Sequence, residues 1–426
     1  MNLLTAEMTA LNFPARQQTM KTFATILVRS IALVILTVLP TSMAQTATTN
    51  ELPAVLPPYL QNPAADGMTV CFLAQGAEGV RVAWALDAAP ALTEAPAAGT
   101  AIPGTPWTIW KTRLAKLDRG TVYRYQVRYR LPSGSAVSPV ARFHTLDPQS
   151  KTLRFAAFND LHNNDQTLEA LLRFVKPDDY EFSLLMGDCF GDPTAANGAH
   201  EVFRTWQAYL RWLDGGNKPI VFVRGNHETR GNFSPQLAHL FDLPNLDAAQ
   251  KQDDQQWQFT LRAGPVWFLA MDTGEDEDML ADPRCAYKRP KFWQTYRQRE
   301  AEWLEKLRTT QPGNDVVWRI FASHIPLYND NQDYSPNGRQ SWEPILQHFD
   351  LDLMLAGHDH GWKLLPKKTG GQPPWPVLIG GGPALDQGTV ILVSAETTGL
   401  RARVLAAKDG RLFTEFNAQA ERPGKP

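Results

Sequence analysis

Cysteine is scarce in this chain of 426 residues, with only Cys71, Cys189 and Cys285. An odd number permits at most one disulfide and leaves one thiol over, which excludes a fold held together by disulfides. Cys189 directly follows Asp188, a candidate functional residue, but an apolar thiol is most often a packing group. We therefore expect Cys189 to be buried and structural.

A surplus of basic residues is also missing. Lys and Arg together number 42 against 44 for Asp and Glu, giving a net charge of -2 and a pI of about 6.5. No polymeric nucleic acid is expected as a partner, because binding one requires a broad basic surface. The hydrophobic content of 43% is ordinary for a globular protein with two cores. The sequence does not indicate an oligomeric state.

One longer apolar run stands near the start, Ile31 to Leu39, preceded by Lys21 and Arg29 and followed by Ser42-Met43-Ala44. A basic start, a short apolar stretch and small residues before a cleavage point are typical of an export signal. Residues 1–44 are predicted to be a signal peptide, with Met20 an alternative true start, and the mature protein to be periplasmic or extracellular. An uncleaved anchor is the alternative, and no membrane span is expected after signal removal.

Residues 45–147 show short alternating runs separated by Pro, Gly and Asp, and Tyr123 to Tyr129 alternate apolar with polar residues throughout. This pattern predicts an all-β sandwich of about a hundred residues. After a linker at Leu146 to Ser150, strand patterns alternate with helical stripes across residues 148–426. We expect an α/β sandwich there, with sheets flanked by helices.

Five short polar clusters each follow an apolar run: Asp160-Leu161-His162, Gly187-Asp188, Gly225-Asn226-His227-Glu228, Ser323-His324 and Gly357-His358-Asp359-His360. The runs before them read as strands, so all five clusters are predicted at strand carboxyl ends, where open α/β sheets bind ligands. In an extended segment, residues two apart face the same side, which would let Asp160 and His162 face one ion together, and likewise His358 and His360.

Taken singly, each cluster has an ordinary explanation, because Gly-Asp is usually a turn and a histidine after a strand is usually a core or surface residue. Together they supply carboxylate, imidazole and amide oxygen, the mixed set suited to two adjacent divalent ions. Five of the nine histidines lie inside these clusters. Their joint presence therefore predicts a two-metal site.

The order and types of these residues, over Lys151 to Phe416, resemble the calcineurin-like metallophosphoesterase superfamily. Pro58-Tyr59-Leu60-Gln61 and the segment Leu117 to Tyr123 resemble the fibronectin-III-like domain that precedes the catalytic domain of purple acid phosphatases. The resemblance implies hydrolysis of a phosphate ester by water activated between two ions.

Position by position, the resemblance assigns Asp160, His162 and His360 to the first ion, Asn226, His324 and His358 to the second, and Asp188 as the bridge, whose two oxygens would hold both ions. It makes His227 the general acid or an orienting donor at the leaving group. Purple acid phosphatases have Asp-x-Gly at the first cluster and a metal-binding Tyr three residues after the bridge, whereas this chain has His162 and Gly191. Two divalent ions, Mn, Fe, Zn or Co, are therefore expected rather than a fixed iron(III) pair.

For the substrate, a small phosphomonoester is expected, and a phosphodiesterase or nuclease activity is the alternative. A non-catalytic surface-binding protein is a third reading. Arg230 and His200 are candidate phosphate-binding residues, although an exposed Arg and a histidine at a helix start are their ordinary interpretations. Glu228 either orients His227 or has a structural role, and Tyr328 and Trp362 either line the pocket or pack in the core.

Overall fold

The structure, a computed structural model, describes residues 52–193, 198–244, 257–276, 283–287, 291–310, 316–330, 334–368 and 372–421. These residues all belong to one compact unit. The predicted signal peptide lies outside them. Within the described ranges, no helix combines the length and apolarity needed to cross a membrane.

The amino-terminal part is all β. Two antiparallel sheets, in the strand orders β1-β2-β6-β5 and β4-β3-β7-β8 with β9 also paired to β7, form a sandwich. The strands are β1 (Tyr59–Gln61), β2 (Gly67–Gln75), β3 (Glu78–Leu86), β4 (Thr93–Pro96), β5 (Ala98–Ala101), β6 (Trp107–Ala115), β7 (Val122–Leu131), β8 (Gly134–Val137) and β9 (Ala141–His144). On β7, Tyr123, Tyr125 and Val127 are buried and alternate with more exposed residues, which confirms the predicted period of two.

The sequence pattern from Val137 to Phe143 predicts one continuous strand, but the structure breaks it. β8 ends at Val137 and β9 begins at Ala141, with Pro139 between them. Proline has no N–H to donate to a strand ladder, so it interrupts pairing at this point.

The carboxyl-terminal part contains two six-stranded mixed sheets, in the orders β12-β11-β10-β19-β20-β21 and β13-β14-β15-β16-β18-β17. The strands of the first are β10 (Thr152–Phe158), β11 (Phe182–Met186), β12 (Ile220–Val223), β19 (Thr389–Glu396), β20 (Gly399–Ala406) and β21 (Leu412–Gln419). Those of the second are β13 (Phe259–Ala263), β14 (Val266–Ala270), β15 (Trp318–Ala322), β16 (Leu353–Ala356), β17 (Lys363–Leu365) and β18 (Val377–Ile379).

Among the residues that the structure describes, four α-helices accompany these sheets: α1 (Asp165–Leu171), α2 (Gly198–Trp212), α3 (Phe292–Thr309) and α4 (Pro336–Leu346). Helical stripes in the sequence predict the first three. α4 contains Pro344, which argues against a helix in a sequence pattern, although Pro336 at its first turn suits a helix start. The two sheets share a core, in which Phe155 of β10 meets Phe268 of β14 edge-to-face at 5.6 Å between ring centroids. The predicted α/β sandwich is confirmed.

The direction of the central strands positions the functional loops. β10, β11 and β12 run parallel in one sheet, and β14, β15 and β16 run parallel in the other. Parallel neighbours end at the same edge of a sheet. The first sheet therefore delivers the loops that carry Asp160, Asp188 and Asn226, and the second delivers His324 and His358.

The sandwich packs directly on α2 of the carboxyl-terminal part. The ring of Tyr59 lies 5.4 Å from that of Trp206 and that of Trp107 lies 5.2 Å from that of Phe203, measured between centroids. The Tyr59 hydroxyl also donates to the Leu240 carbonyl at 2.8 Å. Residues of both parts thus belong to one buried cluster.

Candidate metal centre

The loops after β10, β11 and β16 adopt left-handed backbone conformations. Asp160, His162, Asp188, His358 and His360 all have positive φ, between 44° and 74°. The expectation that Asp160 and His162, or His358 and His360, face one side because they lie in extended segments is therefore wrong. Their side chains converge because each loop turns sharply at the end of its strand, in a conformation that Asp and His tolerate better than bulky residues do.

The first group contains Asp160, His162 and His360. The Nε2 atom of His360 lies 3.3 Å from Asp160 Oδ1 and 3.1 Å from His162 Nε2. Asp160 Oδ2 accepts from the His358 backbone N–H at 2.7 Å, whereas the buried Oδ1 accepts no hydrogen bond. Oδ1 and the two imidazoles thus face a common point.

Asp188 stands between the two groups and uses its two oxygens differently. Oδ1 accepts the backbone N–H of His227 at 2.9 Å. Oδ2 lies 3.6 Å from His162 Nε2 and 3.1 Å from His324 Nε2. Oδ2 thus faces both groups, whereas Oδ1 is engaged by a backbone N–H.

The second group contains Asp188, His324 and His358, with Asn226 beside them. The amide oxygen of Asn226 lies 3.1 Å from His324 Nε2 and 3.2 Å from His358 Nδ1. His324 Nδ1 lies 3.0 Å from the Met186 carbonyl, which fixes its ring and leaves Nε2 facing the group.

Interactions between buried carboxylates and histidines shift the pKa values of the site residues. Burial lowers the pKa of His324, but the charges of Asp188 and Asp160 outweigh burial and raise it to about 10. Burial raises the pKa values of Asp160 and Asp188, but the charge of His324 together with interactions with the other nearby histidines outweighs burial and holds both below their usual range. The Asp160 carboxylate, 3.3 Å away, raises the pKa of His360. Without a metal, protons on the histidines balance the buried carboxylates.

A cation fits this donor set. With neutral imidazole rings, the Asn226 amide oxygen, Asp188 Oδ2 and the facing ring nitrogens of His324 and His358 are all acceptor-type atoms, and either a ring proton or a cation balances such a set. In the first group, the buried Asp160 Oδ1 has no hydrogen-bond partner, and a cation would satisfy it. Carboxylate oxygen, amide oxygen and neutral imidazole are ligands that divalent transition metals accept. The residues present therefore suit two ions.

His227 lies beside both groups. Its Nδ1 is 2.7 Å from Asp192 Oδ1, and its Nε2 is 3.9 Å from Asp188 Oδ2. Burial lowers the pKa of His227, but the Asp188 charge and the hydrogen bond to Asp192 outweigh burial and raise it. A raised pKa favours an imidazolium that can give up a proton near neutral pH.

Glu228 is fully buried and holds three backbone N–H groups, those of Gly225, Asp188 and Phe190, at 2.7 to 3.0 Å. Burial and the Asp188 charge raise its pKa. Of the two roles considered from the sequence, the contacts of Glu228 match the structural one, because it joins the loop after β11 to the loop after β12.

Arg230 is only 3% exposed and pairs with Glu275 through two contacts, Nε to Oε2 at 2.9 Å and Nη2 to Oε1 at 2.6 Å. Its Nη1 lies 3.2 Å from His227 Nε2. As placed, Arg230 is occupied by a carboxylate and a histidine rather than open to a phosphate oxygen. His200 is exposed in the first turn of α2 and belongs to neither ligand group in the described residues.

Three carboxylates of the site lie outside the motifs recognised in the sequence. Asp192 contacts His227, Glu275 contacts Arg230 and accepts from the Asn226 amide at 3.4 Å, and Asp276 Oδ1 lies 3.1 Å from His358 Nε2. Asp192 stands four residues after Asp188, and Glu275 and Asp276 follow β14. Glu275 and Asp276 lie just beyond β14, which is in the same sheet as the strands that precede His324 and His358, and this position is the sequence feature that points to them.

Cys189 is buried with its thiol free, as expected. Tyr328 is 5% exposed and packs against Trp375 at 6.0 Å between centroids, in the core rather than in a pocket. Trp362, two residues after His360, is 38% exposed and stacks on Phe413 at 5.1 Å.

The comparisons with known proteins agree with one another on phosphoesterases. The calcineurin-like phosphoesterase profile matches residues 153–362. An uncharacterized protein of Mycobacterium tuberculosis is 25% identical over 196 residues, covering 43% of this chain and 34% of its own. Purple acid phosphatase 7 of Arabidopsis thaliana is 25% identical over 195 residues, covering 43% of this chain and 55% of its own. The chain thus matches between a third and about half of the length of these relatives.

Among solved structures, a purple acid phosphatase from seeds of yellow lupin, Lupinus luteus, superposes with a TM-score of 0.68. It is 16% identical and the match covers 86% of this chain and 74% of the lupin chain. Such a likeness shows a shared fold. Residues 153–362 of this chain are a calcineurin-like phosphoesterase domain, set in the overall fold of a purple acid phosphatase.

Proposed function

We propose that this protein is a metal-dependent phosphoric ester hydrolase with two divalent ions, and that its substrates are small phosphomonoesters. The observation that supports this best is the convergence of both ligand groups on Asp188, with His227 alongside. Two ions held there would lower the pKa of water and neutralise phosphoryl charge. Mn, Fe, Zn or Co suit the mixed oxygen and nitrogen ligands.

The ligand assignment follows the two groups. Asp160, His162 and His360 would hold the first ion, Asn226, His324 and His358 the second, and Asp188 would contribute to both. His227 would act on the leaving-group oxygen, with Asp192 fixing its ring through Nδ1. For His227 to donate from Nε2, the imidazole must be protonated, because the neutral ring accepts from Arg230 instead.

The charges around the site favour a small ester over a nucleic acid. Arg284 Nη1 lies 3.3 Å from Asp192 Oδ2, Lys363 Nζ lies 2.5 Å from Asp359 Oδ2, and Arg230 is paired with Glu275. Each of these cations is offset by a carboxylate, so together they offer little extra attraction for a polyanion.

Turnover of p-nitrophenyl phosphate and of bis-p-nitrophenyl phosphate, with Mn²⁺ or with a chelator, tests the proposal. We expect metal-dependent hydrolysis that favours the monoester. Preference for the bis ester would establish the phosphodiesterase alternative. If neither ester is hydrolysed, with Mn²⁺ or with the chelator, the proposed hydrolase activity is rejected and a binding protein is favoured.

The amino-terminal features complete the proposal. We propose that residues 1–44 are removed on export to the periplasm or the cell exterior and that the β-sandwich is fibronectin-III-like. Intact mass of the protein isolated from its native host tests the export, because a mature chain beginning at Gln45 is expected. A full-length cytoplasmic species as the sole product would contradict it.

A further inference from the structure

The two ring nitrogens of His358 have different surroundings. Nδ1 faces the Asn226 amide oxygen at 3.2 Å, inside the second ligand group. Nε2 points the other way and lies 3.1 Å from Asp276 Oδ1. The Asp276 oxygen is buried and has no hydrogen-bond partner in the structure, so the imidazole at ion-pair distance is the group that it faces. The side chains of Asp276 and His358 are 15% and 10% exposed. His358 is thus held between a ligand position and a carboxylate.

We propose that Asp276 is a positioning residue that sets the affinity of the second metal site through His358. This inference rests on the proposed two-metal function. A carboxylate that accepts the Nε2–H of an imidazole fixes the tautomer, leaves the Nδ1 lone pair for the metal and makes that nitrogen a stronger donor. His324 faces a neutral group, the Met186 carbonyl at 3.0 Å, in the equivalent position, whereas His358 faces a carboxylate.

The loop that carries Asp276 is built to hold it still. Arg297 of α3 donates through Nε and Nη2 to the Thr273 carbonyl at 3.0 and 2.8 Å, and it also donates to the Glu275 carbonyl. Gly274 has a φ of 64° and packs against the Trp293 ring so closely that a Cβ would lie 2.2 Å from it. Any side chain at this glycine would displace the loop.

The neighbouring residue supports the same metal site. Glu275 Oε1 accepts from the Asn226 amide nitrogen at 3.4 Å, which directs the amide oxygen toward His324 and His358. Glu275 is itself fixed by the two contacts to Arg230. One loop therefore orients two ligands of the second group, the amide through Glu275 and the imidazole through Asp276.

The test measures metal binding one site at a time. In a His360→Ala background the second group is the one left intact, and in a His324→Ala background it is the first. Equilibrium dialysis against graded Mn²⁺, with metal counted by elemental analysis, gives one dissociation constant in each. Adding Asp276→Ala should weaken binding about 10- to 100-fold in the first background and leave it unchanged in the second.

Asp276→Asn should weaken the second site less than Asp276→Ala, because its amide oxygen still accepts from Nε2–H. Asp386→Asn removes the same charge from an exposed turn and serves as the matched control, with no expected change in either constant. Circular dichroism of every variant establishes that it is folded.

If the Mn²⁺ dissociation constant in the His360→Ala background is the same with and without Asp276→Ala, the inference is overturned. So would equal weakening in both backgrounds, because a general loss of folding affects both sites. If the unaltered protein itself retains no metal, the proposed function fails instead. If it binds two ions and hydrolyses phosphate esters while Asp276→Ala has no effect, this inference alone fails.

Discussion

Asp192 Oδ1 lies 2.7 Å from Nδ1 of His227, on the side of the ring opposite to the atom that faces Asp188 and Arg230. Asp192 is also 3.3 Å from Arg284, which fixes the carboxylate in turn. A histidine with a carboxylate on Nδ1 has a fixed orientation and a stabilised imidazolium. This pair separates proton donation from metal binding, and the two can be tested apart.

His227→Asn should slow alkyl phosphate turnover by about 10²–10⁴-fold and p-nitrophenyl phosphate turnover much less, because p-nitrophenolate leaves readily without a proton. Metal content should not change. Steady-state kinetics on both substrates, with elemental analysis, checks this. Equal losses on the two substrates would mean that His227 orients the phosphate rather than donating the proton.

Asp192→Asn should lower alkyl phosphate turnover on the order of tenfold, since His227 keeps its place but loses the charge that favours its protonated form. In the double variant with His227→Asn, the loss should equal that of His227→Asn alone, because Asp192 acts through the histidine. A double-mutant cycle measures this. Additive losses would assign Asp192 an independent role.

Asp188→Ala should remove both ions, because Oδ2 of Asp188 faces both ligand groups. His162→Ala should leave the two-metal site partly occupied. The loss of activity in Asp188→Ala should exceed the roughly 10- to 100-fold cost of altering an outer residue of a metal site. Elemental analysis after gel filtration decides, and two equivalents of metal retained in Asp188→Ala would contradict the assignment.

Metal affinity should rise with pH. In the metal-free protein, the charges of Asp188 and Asp160 outweigh burial and raise the pKa of His324 to about 10, so its ring is protonated at pH 7. A metal binds only the neutral ring and must displace that proton, which gives about a tenfold increase in apparent affinity per pH unit for each proton released. Mn²⁺ titrations at pH 7, 8 and 9 test the slope. A pH-independent affinity would show that no proton leaves.

The purified protein should be colourless even after growth with iron. His162 lies in the first ligand group, and the position three residues after Asp188 is Gly191, where a purple acid phosphatase has a tyrosine ligand. Iron-tyrosinate absorption should therefore be missing. A visible spectrum checks this, and a strong charge-transfer band would mean that another tyrosine has become a ligand.

Much of the fold follows from the sequence, because apolar strands and the polar residues after them give local signals. Asp160, Asp188, Asn226, His324 and His358 all follow strands as predicted. The local conformation was not predictable from spacing. A period of two assumes extended backbone, and the loops instead turn left-handed.

The partners of site residues were also beyond the sequence. Arg230 reads as a phosphate-binding residue until Glu275, forty-five positions later, is seen to occupy it. Asp192 stands apart from other carboxylates, and Asp276 lies within the acidic run Glu275 to Asp278. Neither belongs to a recognised motif, and only the folded chain brings them to His227 and His358. Contacts between distant loops depend on how the sheets pack, which residue spacing does not encode.

Because the β-sandwich packs on α2, the phosphoesterase domain cannot be separated from the sandwich without exposing buried side chains. Trp206 and Phe203 are buried against Tyr59 and Trp107, so cutting the chain at the linker would expose a wide aromatic face to water. A fragment starting near Lys151 would aggregate, and heating the intact protein would melt both parts in a single cooperative transition. The β-sandwich is therefore a structural part of the phosphoesterase domain and not a separate module.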